Sequence, residues 1–230
     1  MDKVIVVAGP TASGKTDLAI ELALLINGEI ISADSMQIYR GMDIGTAKPT
    51  IVERKGIPHH MLDIVDPDEE YSVAQFQKDA KNCIKEILCK GKIPIVAGGT
   101  GLYINSLVYN ITFSETIADW EYRKQLQEMA EEKGPDILHQ LLQEVDPKSA
   151  ERIHPNNIKR VIRALEVYKT TGKPISQHQL ESRSKKPEYD YKIFGLEIER
   201  DILYKRIDKR AGKMMEMGLY EEVEGLLEKY

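Results

Sequence analysis

The stretch that decides the fold lies near the N-terminus and reads Gly9-Pro10-Thr11-Ala12-Ser13-Gly14-Lys15-Thr16. It matches the P-loop pattern G-x-x-x-x-G-K-[ST], and it follows an apolar run, residues 3–8, that is typical of a buried strand. Such a loop binds phosphate because its backbone N–H groups and the start of the next helix point at the anion. The Lys15 ammonium adds a mobile charge, and the Thr16 hydroxyl is a ligand for Mg²⁺. The segment predicts a site for a diphosphate or a nucleotide, without choosing between them.

Beyond this loop, short apolar runs alternate with helical patterns. We predict strands at residues 3–8, 29–32, 60–65, 92–98 and 192–198. We predict helices at residues 14–26, 72–90, 101–108, 218–230 and from Asp201, which we expect to cap its helix. The first helix is expected to bury Leu18, Leu22 and Leu25. This alternation predicts an α/β fold, a P-loop NTPase-like parallel sheet with helices on both faces.

The pattern changes in the middle of the chain. Residues 119–133, 135–145, 147–153 and 156–171 all have helical patterns, separated by glycine or Asp-Pro breaks. We therefore predict a core formed by residues 1–110 and 191–230, with residues 111–190 as an inserted all-helical domain.

Charge is unevenly distributed along the chain. The formal net charge of the whole chain is −5, which argues against nucleic-acid binding over the entire surface. The segment from Ala150 to Lys192, however, holds ten Lys or Arg residues against five Asp or Glu residues. A local excess of this kind indicates a confined site for a polyanion, the alternative being a solvated helix face.

A second candidate site follows the predicted strand at 29–32. In open parallel sheets, ligands bind beyond the carboxyl ends of the strands, so Asp34 is expected to face the same crevice as the P-loop. There its carboxylate can accept a proton from an attacking nucleophile. The alternative is that Asp34 is a helix N-cap.

Two further segments carry candidate ligand contacts. Thr100 lies in a glycine turn, residues 98–101, directly after the strand at 92–98, where its hydroxyl and nearby N–H groups can bind a phosphate or substrate oxygen. Arg206 and Arg210 share a helix face and can reach a departing diphosphate. The alternative to a diphosphate contact is that the arginines are ordinary charged residues on an exposed helix face.

These features leave several classes of function open. One is a small-molecule kinase that uses ATP, and another is a transferase that uses a non-nucleotide diphosphate donor and a large anionic acceptor. A nucleotide-binding switch is the non-enzymatic option. The sequence has no apolar run of the length a membrane helix needs and no secretory signal pattern, so we expect a cytoplasmic protein without membrane contact, and a monomer by default.

The motifs together resemble one enzyme family. The P-loop at 9–16, Asp34-Ser-Met-Gln-Ile-Tyr39 with Gly41-Met-Asp-Ile-Gly-Thr-Ala-Lys-Pro49, and Gly98-Gly-Thr-Gly-Leu-Tyr103 are similar to the tRNA dimethylallyltransferase (IPP transferase) family. So are Arg163-Ala-Leu-Glu-Val167 and Arg206-Ile-Asp-Lys-Arg210. The resemblance extends from Lys3 to the last residue. Members of that family usually extend further, with an additional helical segment, so we expect the sequence to represent a shortened form.

The resemblance implies a prenyl transfer. The five-carbon group of dimethylallyl diphosphate would move to N6 of the adenosine 3′ of the anticodon, tRNA position 37, in tRNAs that read codons beginning with U. The products would be N6-dimethylallyladenosine and diphosphate, and the partner would be the anticodon stem-loop of tRNA. The inserted domain would then be the basic tRNA-binding part.

The resemblance also assigns roles to individual residues. Asp34, Thr100 and Arg206 would be catalytic, the P-loop from Gly9 to Thr16 would hold the donor diphosphate, and Thr16 would ligate Mg²⁺. The residues it assigns to tRNA contact are Asp34, Ser35, Met36, Gln37, Thr100, Arg123, Lys159, Arg160, Val161, Ile162 and Arg163.

Overall fold

The computed structural model describes residues 1–111, 113, 119–182 and 186–230. Two of the ten basic residues counted above, Arg183 and Lys185, lie outside them. The chain divides into two compact units, residues 1–109 with 187–230, and residues 110–186. The predicted boundary after residue 190 falls one residue inside the last strand of the first unit.

No helix in the part of the chain that the structure describes has the length and apolar character needed to cross a lipid bilayer.

A parallel sheet forms the centre of the first unit. Its strands are β1 (Lys3–Ala8), β2 (Gly28–Ser32), β3 (His59–His60), β4 (Ile93–Gly98) and β5 (Asp190–Gly195). Their order across the sheet is β3-β2-β4-β1-β5, and every neighbouring pair is parallel. The P-loop connects β1 to the first helix. The predicted parallel α/β fold with a P-loop core is confirmed.

Helices cover both faces of this sheet. The helices of the first unit are α1 (Lys15–Ile26), α2 (Val73–Cys89), α3 (Gly101–Val108), α9 (Arg200–Glu216) and α10 (Leu219–Lys229). Val4 and Val6 of β1 pack with α2 and α3 on one face, and Val7 packs with α1 on the other. Side chains alternate along a strand, so a continuous apolar run supplies both faces at once.

Ser72 starts α2 as predicted, because its hydroxyl accepts a hydrogen bond from the Gln75 backbone N–H at 3.2 Å. The buried face of α1, in contrast, was predicted only in part, since Leu22 alone of the three predicted leucines packs against the core. Ala19, Ile20 and Ala23 face the sheet, whereas Leu18 and Leu25 are exposed. Small alanines allow the helix to approach the strands closely, and a pattern based on large apolar residues misses them.

Two predicted strands also differ from the structure. The strand expected at 60–65 ends at His60, because Met61 and Asp63 adopt positive φ angles of 64° and 55°. The last strand runs from 190 to 195 rather than 192 to 198, since β1, its partner, ends at Ala8 opposite Gly195. The helix after it is preceded by Glu199, with no side-chain cap, so Asp201 lies in the first turn and does not cap the helix.

The secondary-structure elements described in the second unit are all helices. The helices are α4 (Trp120–Lys133), α5 (Pro135–Val145), α6 (Pro147–Ala150), α7 (Ile158–Thr171) and α8 (Ile175–Ser182). Asp119 caps α4 by accepting from the Tyr122 N–H at 3.0 Å. The helix predicted at 147–153 is shorter, and α8 was not predicted. The buried core of the second unit is apolar and includes Leu126, Leu138, Leu142, Val161 and Leu165.

A buried carboxylate beside β2 contacts two lysines and a histidine. Glu29 is 2% exposed, and its carboxylate oxygens lie 2.8 Å from Lys92 Nζ, 2.8 Å from His60 Nε2 and 3.0 Å from Lys90 Nζ. Burial alone would raise the pKa of Glu29, but the hydrogen bonds from Lys92, His60 and Lys90 outweigh it and hold the pKa at about 2. The charged carboxylate therefore stabilises the folded sheet.

This network predicts a defined dependence of stability on pH. The pKa of Glu29 is depressed from 4.5, so its contribution is full above pH 4.5 and is lost as the pH falls towards 2. Glu29→Gln should lower the free energy of unfolding by about 2 kcal/mol at pH 7, a value reduced by solvent screening at half-exposed Lys90. Urea unfolding from pH 7 to pH 2 measures it. Glu86→Gln, an exposed change on α2, is the control, and an equal loss in both variants would contradict the assignment.

Candidate active site

The P-loop has the backbone conformation that its glycines predict. Gly14 has a φ of +87°, a conformation that favours glycine, and it is followed directly by α1. Gly9 is needed for close packing instead, since a Cβ there would lie 2.9 Å from Ser13 Oγ and 3.0 Å from Leu196 Cβ. The N-terminus of α1 therefore lies at the carboxyl end of β1, where it can bind an anion.

Lys15 is held over the loop that precedes it. Its Nζ donates to the Pro10 carbonyl oxygen at 2.7 Å. Burial lowers the pKa of Lys15, the Asp34 carboxylate acts in the opposite direction, and the Arg210 guanidinium lowers the pKa further. The P-loop lysine, the predicted base and a cation of α9 are thus close enough to influence one another.

The P-loop and α9 enclose a cationic cavity of about 500 Å³. Arg206, predicted to contact a departing diphosphate, lines it together with Lys15 and Thr16. Lys209, Arg210 and Lys213 also line this cavity. Lys209 and Lys213 were not predicted, although their i+3 and i+7 spacing from Arg206 places them near the same helix face. The cluster of positive charge suits a diphosphate better than a singly charged group.

Asp34 occupies the predicted position after β2. Its Oδ1 accepts a hydrogen bond from the Met36 N–H at 2.9 Å. Residues 35–38 form turns and no helix, so the N-cap interpretation does not hold in its literal form, although Asp34 does stabilise a turn. Asp34 also lines a small cavity of about 70 Å³ together with Lys15, Thr16 and Arg210.

Thr100 connects the end of β4 to the segment that carries Asp34. Its Oγ1 accepts from the Ser35 N–H at 3.0 Å, and its own N–H donates to the Ala33 carbonyl oxygen at 3.2 Å. Gly98 permits this approach, because a Cβ there would lie 2.2 Å from the Ala33 carbonyl oxygen. The hydroxyl of Thr100 therefore orients residues 33–35, and a direct contact of Thr100 with substrate stays a prediction.

The Gln37 side chain holds the loop that faces Asp34. Its Nε2 donates to the carbonyl oxygens of Thr46 at 3.2 Å and Ala47 at 3.3 Å, and its Oε1 accepts from Ser32 Oγ at 3.0 Å. Both ends of the amide thus have protein partners. The contact with tRNA that the resemblance assigns to Gln37 stays a prediction.

Lys48 organises the same loop from inside, and sequence reasoning did not assign it a role. Its side chain is 3% exposed, and Nζ donates to the Tyr39 carbonyl oxygen at 2.8 Å, Asp43 Oδ1 at 2.6 Å and Asp63 Oδ1 at 2.5 Å. A buried ammonium requires such partners. The contact with Asp63 holds residues 61–63 in a turn instead of a continued strand. In the sequence, the only indication of this role is that Lys48 belongs to the motif Gly41–Pro49 quoted above.

An apolar cavity of about 620 Å³ adjoins Asp34 on another side. Met36 and Met42 line it from the turns after β2, and Leu219, Val223 and Leu226 line it from α10. Asp34 and Arg210 belong to this cavity as well as to the small cavity beside Lys15. Asp34 therefore lies between an anion-binding region and an apolar region.

The residues present fit a magnesium ion held mainly by a bound diphosphate. Mg²⁺ in such sites uses one or two protein oxygens together with phosphate oxygens and water. Thr16 lines both the cationic cavity and the small cavity that includes Asp34. Among the described residues, no group of three or more His, Cys, Asp or Glu side chains could hold a metal by itself.

The second unit contains the other residues predicted to contact tRNA, and these residues differ in their exposure to solvent. Lys159 and Arg160 are exposed on α7. Val161 and Ile162 are 0% and 6% exposed, because they face the apolar core of this unit. Contact of their side chains with tRNA was therefore predicted wrongly.

Arg123 and Arg163 have a structural partner as well as partial exposure. Arg123 Nε and Nη2 donate to the two oxygens of Glu166 at 2.8 and 3.0 Å, and Arg163 also donates to Glu166. Glu166 is fully buried; burial alone would raise its pKa, but the two arginines hold the pKa of this carboxyl below its usual range. Removing either arginine would leave a buried charge with fewer partners.

A P-loop at the end of a parallel strand, a cationic cavity and a carboxylate beside an apolar cavity define an α/β transferase that acts on a phosphorylated donor. Comparisons with known proteins agree. The IPP transferase family matches residues 37–230, and the isopentenyl transferase family matches residues 2–68. The chain belongs to the IPP transferase family.

The chain is similar to curated and structurally characterised relatives. It is 61% identical to a tRNA dimethylallyltransferase of Acetivibrio thermocellus and 54% identical to one of Bacillus mycoides, over 99% of this chain and 73% and 72% of those proteins. The structure of a tRNA isopentenylpyrophosphate transferase from Bacillus halodurans matches with a TM-score of 0.68 and 45% identity, over 100% of this chain and 71% of that one. A eukaryotic dimethylallyltransferase acting on tRNA matches with a TM-score of 0.80 and 37% identity, over 100% of this chain and 57% of that one.

Because Arg206 lines the cationic cavity and Lys205 does not, substitutions of these two neighbouring residues should differ in their effect on diphosphate affinity. Arg206→Met should weaken binding of inorganic diphosphate about tenfold, because a charge-assisted contact to the anion is lost. Lys205→Met removes the same charge from a position that does not line the cavity, and its affinity should stay within about twofold. Isothermal titration with diphosphate and Mg²⁺ measures both. Equal weakening in the two variants would mean that only the overall charge of α9 matters.

Proposed function

We propose that this chain transfers the dimethylallyl group of dimethylallyl diphosphate to N6 of the adenosine at tRNA position 37, in tRNAs that read codons beginning with U. The observation that carries the proposal is the position of Asp34, which lines an apolar cavity and also the small cavity beside Lys15 and Thr16. We also propose that the enzyme acts as a monomer, because Asp34, the P-loop and Arg206 line adjoining cavities within one chain.

The P-loop and α9 hold the diphosphate of the donor. As the bond between C1 of the donor and its oxygen breaks, the electron pair stays with the diphosphate, and negative charge builds up there. Lys15, Arg206 and the N–H groups at the start of α1 stabilise that charge. Mg²⁺ at Thr16, when bound, supplies further neutralisation of the leaving group.

Asp34 acts at the other end of the reacting centre. N6 of adenine attacks C1, the new N–C bond forms, and N6 loses one proton to the Asp34 carboxylate. N6 is a weak nucleophile because its lone pair is delocalised into the ring, so alignment and proton removal both contribute. The hydrogen bond from the Met36 N–H to Oδ1 fixes the direction of the carboxylate.

The apolar cavity next to Asp34 suits the uncharged reaction partners. Met36 and Met42 offer flexible apolar surface for the dimethylallyl tail and for an adenine that has left the anticodon loop. Unstacking a base costs a few kcal/mol, and contacts of RNA phosphates with Lys159 and Arg160 can offset this cost. This supports tRNA as the acceptor, in agreement with the name of the eukaryotic structural neighbour.

Mass spectrometry of a synthetic anticodon stem-loop tests the proposal. The RNA is incubated with the chain, Mg²⁺ and dimethylallyl diphosphate, and a parallel reaction contains ATP in place of the prenyl donor. A gain of one C5H8 unit on the adenosine 3′ of the anticodon is expected. Transfer of phosphate from ATP, without any C5H8 gain in the first reaction, would contradict the proposal and indicate a kinase.

The role of Asp34 predicts a selective loss of turnover. Asp34→Asn keeps an oxygen that can accept from the Met36 N–H but removes the base, so turnover should fall by about 100-fold or more. Binding of dimethylallyl diphosphate should persist, because its charged end contacts the P-loop.

Single-turnover kinetics and donor titration separate these two effects. Asp68→Asn, an exposed change outside the site, should behave as wild type. A fully active Asp34→Asn variant would rule out Asp34 as the base.

The exposed cations of α7 predict a salt-dependent contribution to RNA binding. Replacing Lys159 and Arg160 with Ala should weaken stem-loop affinity and reduce the slope of log affinity against log salt by about one to two. Lys124 and Lys133 of α4, replaced together with Ala, remove the same charge from another helix as the control. Fluorescence anisotropy over a salt series measures both pairs, and an unchanged slope for the α7 pair would refute phosphate contact there.

A further inference from the structure

Helix α10 places one carboxylate against the loop that faces Asp34. Glu222 accepts hydrogen bonds from three consecutive backbone N–H groups: Asp43 at 2.9 Å and Ile44 at 2.7 Å to one oxygen, and Gly45 at 3.0 Å to the other. Successive N–H groups that converge in this way form a nest for an anion. Because the acceptor is charged, each bond is stronger than one between neutral groups.

The close approach of α10 depends on two glycines of the same loop. A Cβ at Gly41 would lie 3.2 Å from Leu226 Cδ2, and one at Gly45 would lie 3.1 Å from Leu219 Cδ1. No residue of α10 is buried, so its apolar contacts with the rest of the unit are limited. The three bonds to Glu222 therefore form a major part of what fixes α10 and the loop to each other.

The loop held by Glu222 continues directly into groups that shape the site. The Thr46 carbonyl oxygen accepts from both Gln37 Nε2 and, at 3.3 Å, Arg210 Nη2. Arg210 lines the cationic cavity, and Thr46 lines both cavities that contain Asp34. A shift of residues 43–45 would therefore move the wall opposite Asp34 and weaken one hydrogen bond of Arg210.

We propose that Glu222 is a positioning residue for prenyl transfer. It acts through the backbone of residues 43–45 and touches no reacting atom. Lys48 fixes Asp43 from the inner side through its carboxylate, and Glu222 fixes the Asp43 backbone from the outer side. The inference rests on the proposed function, because the effect it predicts is an effect on turnover.

The first test measures the contact without any reaction. Backbone amide exchange of Asp43, Ile44 and Gly45 should become at least about tenfold faster in Glu222→Ala, because the hydrogen-bond acceptor is gone. Glu222→Gln should give an intermediate rate, since its single amide oxygen keeps part of the acceptor. Glu224→Ala, an exposed acid on the same helix, should leave all three amides as in the wild type.

The second test measures turnover in the same variants. Glu222→Ala should lower kcat about tenfold and change KM for dimethylallyl diphosphate less than about twofold, because alignment is lost while P-loop contacts remain. Millimolar acetate or formate should restore part of kcat in Glu222→Ala by occupying the vacated nest, and should have no effect on wild type or Glu224→Ala. A residue needed only for folding would show no such rescue.

The outcomes separate the two proposals. Unchanged amide exchange in Glu222→Ala would overturn the contact, and fast exchange with wild-type kcat would overturn the positioning role. No prenyl transfer by the wild-type chain would overturn the proposed function and the positioning role with it, while the exchange data would still report whether Glu222 holds the loop.

Discussion

The close approach of β2 and β4 at their carboxyl ends is the constraint on which the site depends. Gly98 lies so near the Ala33 carbonyl oxygen that no side chain fits between them, and Thr100 then bonds to both Ala33 and Ser35. Parallel strands end at one edge of a sheet, so this contact places Asp34 beside the P-loop that follows β1. The distance between the anion site and the base is thereby set by main-chain packing, which side-chain motion cannot easily alter.

Charged side chains stabilise the loop that forms the wall of the site opposite Asp34, because few apolar core contacts hold this loop. The segment between Gly41 and Pro49 contains no strand or helix, and two oppositely charged side chains fix it, Lys48 from within and Glu222 from α10. Both use several hydrogen bonds, which a buried or half-buried charge requires. Such an arrangement gives a defined loop conformation next to a cavity that must stay open for a large RNA substrate.

Local patterns in the sequence predicted most elements of the sheet and the P-loop, because glycine spacing and apolar runs reflect nearby backbone geometry. The third strand was predicted too long, at 60–65, because the turn that follows His60 involves a contact between Lys48 and Asp63, which are distant in sequence. Val161 was assigned to tRNA contact by the family resemblance, although helical periodicity places it in the core. The apolar cavity could not be predicted, since it forms only where α10 meets the turns after β2.

The central claim is that one site holds the diphosphate at the P-loop and directs the prenyl carbon towards Asp34. A crystal structure of the chain with the unreactive thiodiphosphate analogue of dimethylallyl diphosphate tests it directly. We expect the two phosphate groups to lie against Lys15, Thr16 and Arg206, with C1 on the side of Asp34 and the tail in the apolar cavity. A diphosphate bound outside the P-loop, or a tail directed away from Asp34, would contradict it.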